Sequence, residues 1–116
     1  MHYVLLMYGE EAKGETPTQM PAERAAEWAT FWQEQPLKSV LHSWGALMPT
    51  AVARTMRVDE PPTPVVTDGP FAETKEQLGG FIIVECDSMD EALEFAAQVP
   101  CGPHGSIEVR ALSDLG

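Results

Sequence analysis

The sequence predicts an α+β domain in which a mostly antiparallel sheet carries two helices on one face. The chain has 116 residues, which is the length of one domain. Two segments have the apolar spacing of amphipathic helices, and the other apolar segments have the length and alternation of strands. Their order, strand, helix, two or three strands, helix, strand, is that of a ferredoxin-like arrangement. We therefore expect residues 1–116 to form a single domain.

Two kinds of hydrophobic spacing open the chain, first that of a strand and then that of a helix. Residues 3–8 are an apolar run of strand length in which both alternating sets can be buried. From about Pro21 to Glu34 apolar residues recur at helical spacing, and Pro36 lies just past the end. Ala25, Trp28, Ala29 and Trp32 have this spacing, and we expect the aromatic group Trp28, Phe31 and Trp32 on the core face of the helix.

The middle of the chain contains two predicted strands, over residues 40–48 and 52–58. Residues 59–64 include three prolines, each of which removes a donor from a strand ladder. We therefore expect a surface turn there rather than a central strand. Residues 65–67 resume extended structure and end at Asp68-Gly69, a pair typical of turns.

A strand, a helix and a closing strand are predicted in the last third of the chain. The strand covers residues 81–86 and follows two glycines. Ser88 and Glu91 have the spacing of a capping box, so a helix begins there and stops before Pro100. Residues 107–112 alternate as a final strand. The predicted apolar face of the second helix consists of Met89, Ala92, Leu93 and Ala96.

The charge balance argues against nucleic acid and anionic membranes as partners. Lysine and arginine number 7 against 18 acidic residues, which gives a net charge of −11. Phosphate groups repel such a chain. The second half, residues 59–116, has 12 acidic residues and two cations, Lys75 and Arg110. Lys75 and Arg110 are therefore the only lysine or arginine residues in a segment rich in acidic residues.

The cysteines and the N-terminus predict a soluble cytoplasmic protein. Two cysteines, Cys86 and Cys101, do not make the disulfide framework of a small secreted domain. The apolar run at residues 3–8 lacks a basic flank and is too short for a signal peptide. No segment reaches the length of about 20 apolar residues that a membrane span requires.

One face of the predicted sheet lacks a cover. Residues 3–8 and 81–84 are apolar on both sides, whereas two short helices cover one side. We therefore predict a homodimer packed through its sheets. The alternative is that loops of the same subunit cover the second face.

The segment Thr67–Phe81, TDGPFAETKEQLGGF, resembles the YCII-related family and specifically its DGPF branch, which is named for this motif. The resemblance extends over nearly the whole chain, from Tyr3–Gly9 to Ile107–Arg110. It implies a dimeric α+β barrel of ferredoxin-like subunits. It also implies two roles, an enzymatic one suspected from a histidine and aspartate pair in the wider group, and a link to transcription initiation through fusion to sigma factors.

The first helix departs from the pattern of that wider group. There the histidine lies on the first helix, three residues after an arginine. Here Arg24 is followed at that spacing by Glu27, and no histidine occurs in the predicted helix. The suspected pair is therefore not carried over to this chain.

The motif itself holds the strongest candidate site. Glu73 and Lys75 share one face of an extended segment, and the turn at Asp68 can fold back toward them. On this hypothesis Lys75 binds an anionic group while Asp68 or Glu73 moves a proton. The alternative is that Asp68 only builds the turn and that Glu73, Lys75 and Glu76 form a solvated or dimer-bridging ion network.

Three further residues are candidates for the same ligand. Glu108 and Arg110 share a face of the last strand, and Arg110 is a natural clamp for a carboxylate or phosphate. Tyr8 supplies a hydroxyl donor if it reaches that cavity. The alternatives are an ion pair that fixes the register of the sheet or dimer, and a core role for Tyr8.

The sequence offers no support for metal or nucleotide chemistry. The three histidines have no metal-site spacing, and phosphate-binding or dinucleotide fingerprints do not occur. We therefore expect no metal and no cofactor. Two hypotheses follow: a small dimeric binder or enzyme for an anionic metabolite, with no reaction class assigned, and a non-catalytic interaction domain linked to a sigma factor.

Overall fold

The fold is seen in a computed structural model, which describes residues 1–11, 22–34, 40–59, 63–72, 74–101 and 105–113. Neither helix in this part of the chain has the length and hydrophobicity that crossing a bilayer requires. The elements, in chain order, are β1 (His2–Glu10), α1 (Ala22–Gln33), β2 (Val40–Ala46), β3 (Arg54–Asp59), β4 (Thr63–Asp68), β5 (Glu76–Glu85), α2 (Met89–Ala96) and β6 (Ser106–Ala111).

Four strands form the main sheet, in the order β2-β5-β1-β6. Every neighbouring pair is antiparallel. The chain's first strand therefore lies between two strands from its second half, and β1 and β5 occupy the centre. This order, with a helix after the first strand and another before the last, confirms the predicted α+β, ferredoxin-like arrangement.

The remaining two strands form a separate hairpin, in which β3 pairs with β4 from Arg54 opposite Asp68 to Asp59 opposite Thr63. The expectation that all middle strands join one sheet is therefore wrong for these two. The predicted surface turn is also shorter than residues 59–64, because both of its ends lie in strands. Pro64 cannot donate to a ladder, and a two-stranded hairpin tolerates that loss where a central strand does not.

The hydrophobic core lies between the helices and one face of the main sheet. Leu5 from β1 and Val84 from β5 are fully buried there. Phe31 from α1 and Phe95 from α2 meet edge to face above them, with ring centroids 5.4 Å apart. The other buried core residues are Tyr3, Ile82, Cys86, Ala92, Ala96 and Val99. Both helices therefore cover the same face, as the sequence predicts.

The start of α2 is held by side-chain caps. The Ser88 hydroxyl accepts from the backbone N–H of Glu91 at 3.2 Å, which is the first half of the predicted capping box. The Glu91 carboxylate accepts from the backbone N–H of Asp87 at 2.9 Å, one residue before the expected donor. Two helix-end donors are thus satisfied, and the helix begins where the sequence predicts.

The apolar faces of the two helices differ from the predicted ones. On α2, Phe95 is buried whereas Leu93 is 49% exposed. On α1, Phe31 is buried whereas Ala25 and Ala29 are exposed. The burial of Phe31 agrees with the expected core group on α1. On α2, Phe95 lies one position outside the predicted stripe, and its larger apolar surface decides which side faces the sheet. Met89 is likewise exposed.

The fifth strand begins earlier than predicted, at Glu76, so that the two glycines lie within it. A Cβ on Gly80 would lie 2.9 Å from the Gly45 carbonyl oxygen and 2.9 Å from the Met7 methyl. Gly80 therefore marks a close approach of neighbouring strands rather than a break before the strand.

We expect Phe95→Ala to lower the free energy of unfolding by about 3 to 5 kcal/mol, because it empties a fully buried aromatic site. The matched control on the same helix is Leu93→Ala, which should cost less than about 1 kcal/mol because Leu93 is half exposed. Urea denaturation followed by circular dichroism measures both. Equal losses would contradict the orientation of α2 described above.

Candidate functional site

The face of the sheet opposite the helices is apolar at its centre. Val4 and Leu6 of β1 and Phe81 and Ile83 of β5 point to this side and are half-buried. Tyr8 follows them on β1. We call these five residues, with Glu108 and Arg110 of the edge strand β6, the open face. Its apolar centre and charged edge follow directly from strand alternation.

Glu108 and Arg110 lie side by side on the open face, opposite Leu6 and Val4 respectively. The Arg110 Nε–H donates to Glu108 Oε2 at 3.0 Å, and the terminal Nη2 group of the guanidinium donates to the same oxygen. The hydrogen bond and charge of Glu108 raise the pKa of Arg110, and Tyr8 adds to this effect. A guanidinium has five N–H donors, so the pair leaves donors for another group.

Lys75 and Tyr8 line one cavity at the end of β1. The cavity is open and shallow, has a volume of about 850 Å³, and is lined by Tyr8, Glu10, Thr74, Lys75 and Glu76. The Lys75 ammonium is 3.1 Å from Glu10 Oε1, and both side chains are exposed. The structure thus brings together two of the predicted ligand-binding residues, with Glu10 as a third member that the sequence pattern did not single out.

Asp68 lies elsewhere, at the end of the hairpin. Its carboxylate is 94% exposed and lies 3.6 Å from Nε of Arg54 on the paired strand. Gly69 follows with a φ of +100°, donates to the Ala53 carbonyl at 2.7 Å and accepts from the Thr55 hydroxyl at 2.8 Å. Among the described residues, no cavity is lined by both Asp68 and Lys75. Glu73 lies outside the described residues.

A second cavity, which the sequence did not indicate, is lined by residues of β1, α1, β2 and β5. Its volume is about 270 Å³, and three tryptophans line it. We call it the aromatic cavity. Its lining includes Met7, Tyr8, Glu10, Glu11, Trp28, Trp32, Trp44, Gln77, Phe81 and Ile82. Trp28 and Trp32 were expected in the core, and the concentration of all three tryptophans within residues 28–44 was the available signal.

Trp44 reaches the aromatic cavity because of an irregularity in β2. The register between β2 and β5 shifts between Leu41 and Ser43. Leu41 is opposite Val84 and Trp44 is opposite Ile82, so both lie on the helix side although they are three residues apart. Strict alternation places them on opposite faces, so no strand pattern predicts this position.

The described residues contain no group of three histidine, cysteine, aspartate or glutamate side chains arranged to hold a metal ion. His2 and His42 come together at one end of the sheet, with ring centroids 5.0 Å apart. His2 is also 3.5 Å from the Glu85 carboxylate. Cys86 is buried and its thiol donates to the Ser88 carbonyl at 3.4 Å.

The sheet order, the two helices on one face and the open opposite face define an α+β domain of ferredoxin-like arrangement. Residues 1–115 match the YCII-related domain. An uncharacterized protein of Rhizobium meliloti (strain 1021) is 39% identical over 116 residues, which covers 97% of this chain and 93% of that relative. The chain therefore belongs to the YCII-related family.

We expect Gly69→Ala to loosen the hairpin selectively. A Cβ at Gly69 would meet no atom within 4 Å. The loss of stability on substitution therefore comes from the strain of a positive φ, about 1 to 2 kcal/mol. Amide hydrogen exchange should therefore accelerate about tenfold in β3 and β4 and stay unchanged in β1 and β5. Gly9→Ala is the control, because Gly9 has equal space but no positive φ. Equal exchange rates in the two variants would contradict this role for Gly69.

Proposed function

We propose that the protein is a homodimer that binds a small anionic molecule at the end of β1, in the cavity that contains Lys75 and Tyr8. The main observation in support is that the Tyr8 phenol and the Lys75 ammonium line the same cavity. Tyr8 also lies near enough to Arg110 to raise its pKa. Tyr8 is therefore the residue that links the two cations of the acidic half of the chain.

The ion pair between Lys75 and Glu10 is compatible with ligand binding. Both side chains are exposed, and exposed pairs of this kind contribute only about 0 to 1 kcal/mol. An ammonium also has three donors, so an anionic group can bind Lys75 beside Glu10 or displace it. Thr74 and Glu76 line the same cavity, so the segment that resembles the DGPF motif contributes directly to this site.

We propose binding rather than a specific reaction. The acid and base groups expected from the sequence were Asp68 and Glu73. Asp68 pairs with Arg54 on the hairpin, away from the Lys75 cavity, so the proposed site does not depend on it. Among the described residues, Glu10 and Glu76 are the carboxylates that line this cavity.

The homodimer is supported by apolar surface on two elements, half-buried on the open face and exposed on the hairpin. The open face of the main sheet is apolar at its centre, and the hairpin and its flanks expose Val52, Met56, Val58, Val65, Val66 and Phe71. Phe71 is 74% exposed and lies beneath the Arg57 guanidinium, 5.3 Å from it. Contiguous apolar surface is rarely left open to water, and we propose that a second copy covers it.

The anion site predicts that a screen of small anions, namely phosphate, sulfate and mono- and dicarboxylates, will contain compounds that raise the melting temperature. At about 100 times its dissociation constant a bound anion adds about 2.7 kcal/mol, which shifts a domain of this size by several degrees. We expect Lys75→Met to abolish the shift. Arg54→Met is the matched control, because it removes an exposed, paired cation outside the cavity.

Two results of this screen would contradict the anion site. One is the absence of any shift in the wild type across the panel. The other is a shift that persists in Lys75→Met or disappears equally in Arg54→Met. Either result would favour the non-catalytic interaction domain, whose acidic surface suits a basic protein partner such as a sigma factor.

The homodimer predicts a mass of twice the 12.7 kDa chain in light scattering coupled to size exclusion. Ile83→Lys places a charge at the apolar centre of the open face and should shift the protein to the monomer. Leu93→Lys, at a half-exposed position on α2, should leave the dimer intact. Circular dichroism verifies that both variants fold. A monomeric wild type, or a folded Ile83→Lys dimer, would show that the open face is not the interface.

A further inference from the structure

We infer that the aromatic cavity is a binding site for a small organic cation. The inference does not depend on the anion site. It rests on the ring geometry and the charge of the lining.

The three tryptophans form a continuous ladder along the cavity. The Trp28 and Trp32 ring centroids are 5.8 Å apart with an angle of 32° between the rings, and Trp32 and Trp44 are 5.0 Å apart at 36°. Indole faces carry negative potential and attract cations more strongly than those of tyrosine or phenylalanine. Trp44 is 55% exposed, so its indole is accessible from solvent.

The charge of the lining favours a cation. Among the described residues that line the cavity, Glu10 and Glu11 are acidic and none is lysine or arginine. Glu10 has Lys75 as its partner. The two oxygens of Glu11 accept from the backbone N–H of Thr50 at 2.8 Å and from its hydroxyl at 2.5 Å. These neutral donors orient the Glu11 carboxylate without neutralising its charge.

The size of the cavity limits the ligand to a small one. Its volume of about 270 Å³ is slightly below the range of about 300 to 1,000 Å³ that is typical of sites for drug-sized molecules. A trimethylammonium or similar alkylammonium group fits this description. An anion is disfavoured here, because no described lining residue carries a positive charge.

The test compares choline with its neutral carbon isostere, 3,3-dimethylbutan-1-ol, by calorimetric titration of the full chain. The two probes share shape and hydroxyl, so the difference reports the charge alone. We expect choline to bind about tenfold or more tightly. Comparable affinity for the two probes, or no saturable binding of choline, would overturn the proposal.

Two pairs of variants separate the aromatic and electrostatic contributions. Trp44→Leu should weaken choline binding about tenfold, whereas Trp44→Phe, which keeps a ring face, should retain most of it. The exposure of Trp44 makes both variants compatible with folding. Glu11→Gln should also weaken binding severalfold, and Glu94→Gln, on the exposed side of α2, should not. Unchanged choline binding in both Trp44→Leu and Glu11→Gln would overturn the proposal.

Discussion

The pairing of β1 with β5 is the interaction on which the rest of the structure depends. These central strands are joined from His2 opposite Glu85 to Glu10 opposite Glu76. One side of the pair carries Leu5 and Val84 into the core beneath both helices. The other side forms the apolar centre of the open face. The end of β1 at Glu10 lies where both cavities meet, because Tyr8 and Glu10 line each of them.

Much of the fold could be predicted because local sequence patterns determine most of its helices and strands. The capping role of Ser88 depends on residues within one helical turn, and the antiparallel α+β class follows from element order. The misplaced helix faces have a different origin. Periodicity shows which residues can share a stripe, but on α2 burial of the larger Phe95 decides the orientation, and that depends on the sheet beneath it. The separation of β3 and β4 from the main sheet likewise depends on strand pairing, which a local pattern does not show.

The candidate site was less predictable, because its contacts join distant parts of the chain. Asp68 and Lys75 are close in sequence, yet their ion-pair partners are Arg54 on the hairpin and Glu10 at the end of β1. Spacing within the motif carries no information about either partner. The aromatic cavity illustrates the same limit, since Trp44 meets Trp32 only through a shifted register in β2.

The central position of β1 also has a consequence for the order in which the protein can be assembled during synthesis. Both neighbours of β1 come from much later segments, residues 76–85 and 106–111. Of the six described strands β1 is made first, yet Leu5 and Leu6 have no sheet partner until residues 76–85 have been made, and the second neighbour follows only with residues 106–111. The hairpin of β3 and β4 needs only its own residues and can close earlier. Translation thus produces the peripheral element before the core that supports it.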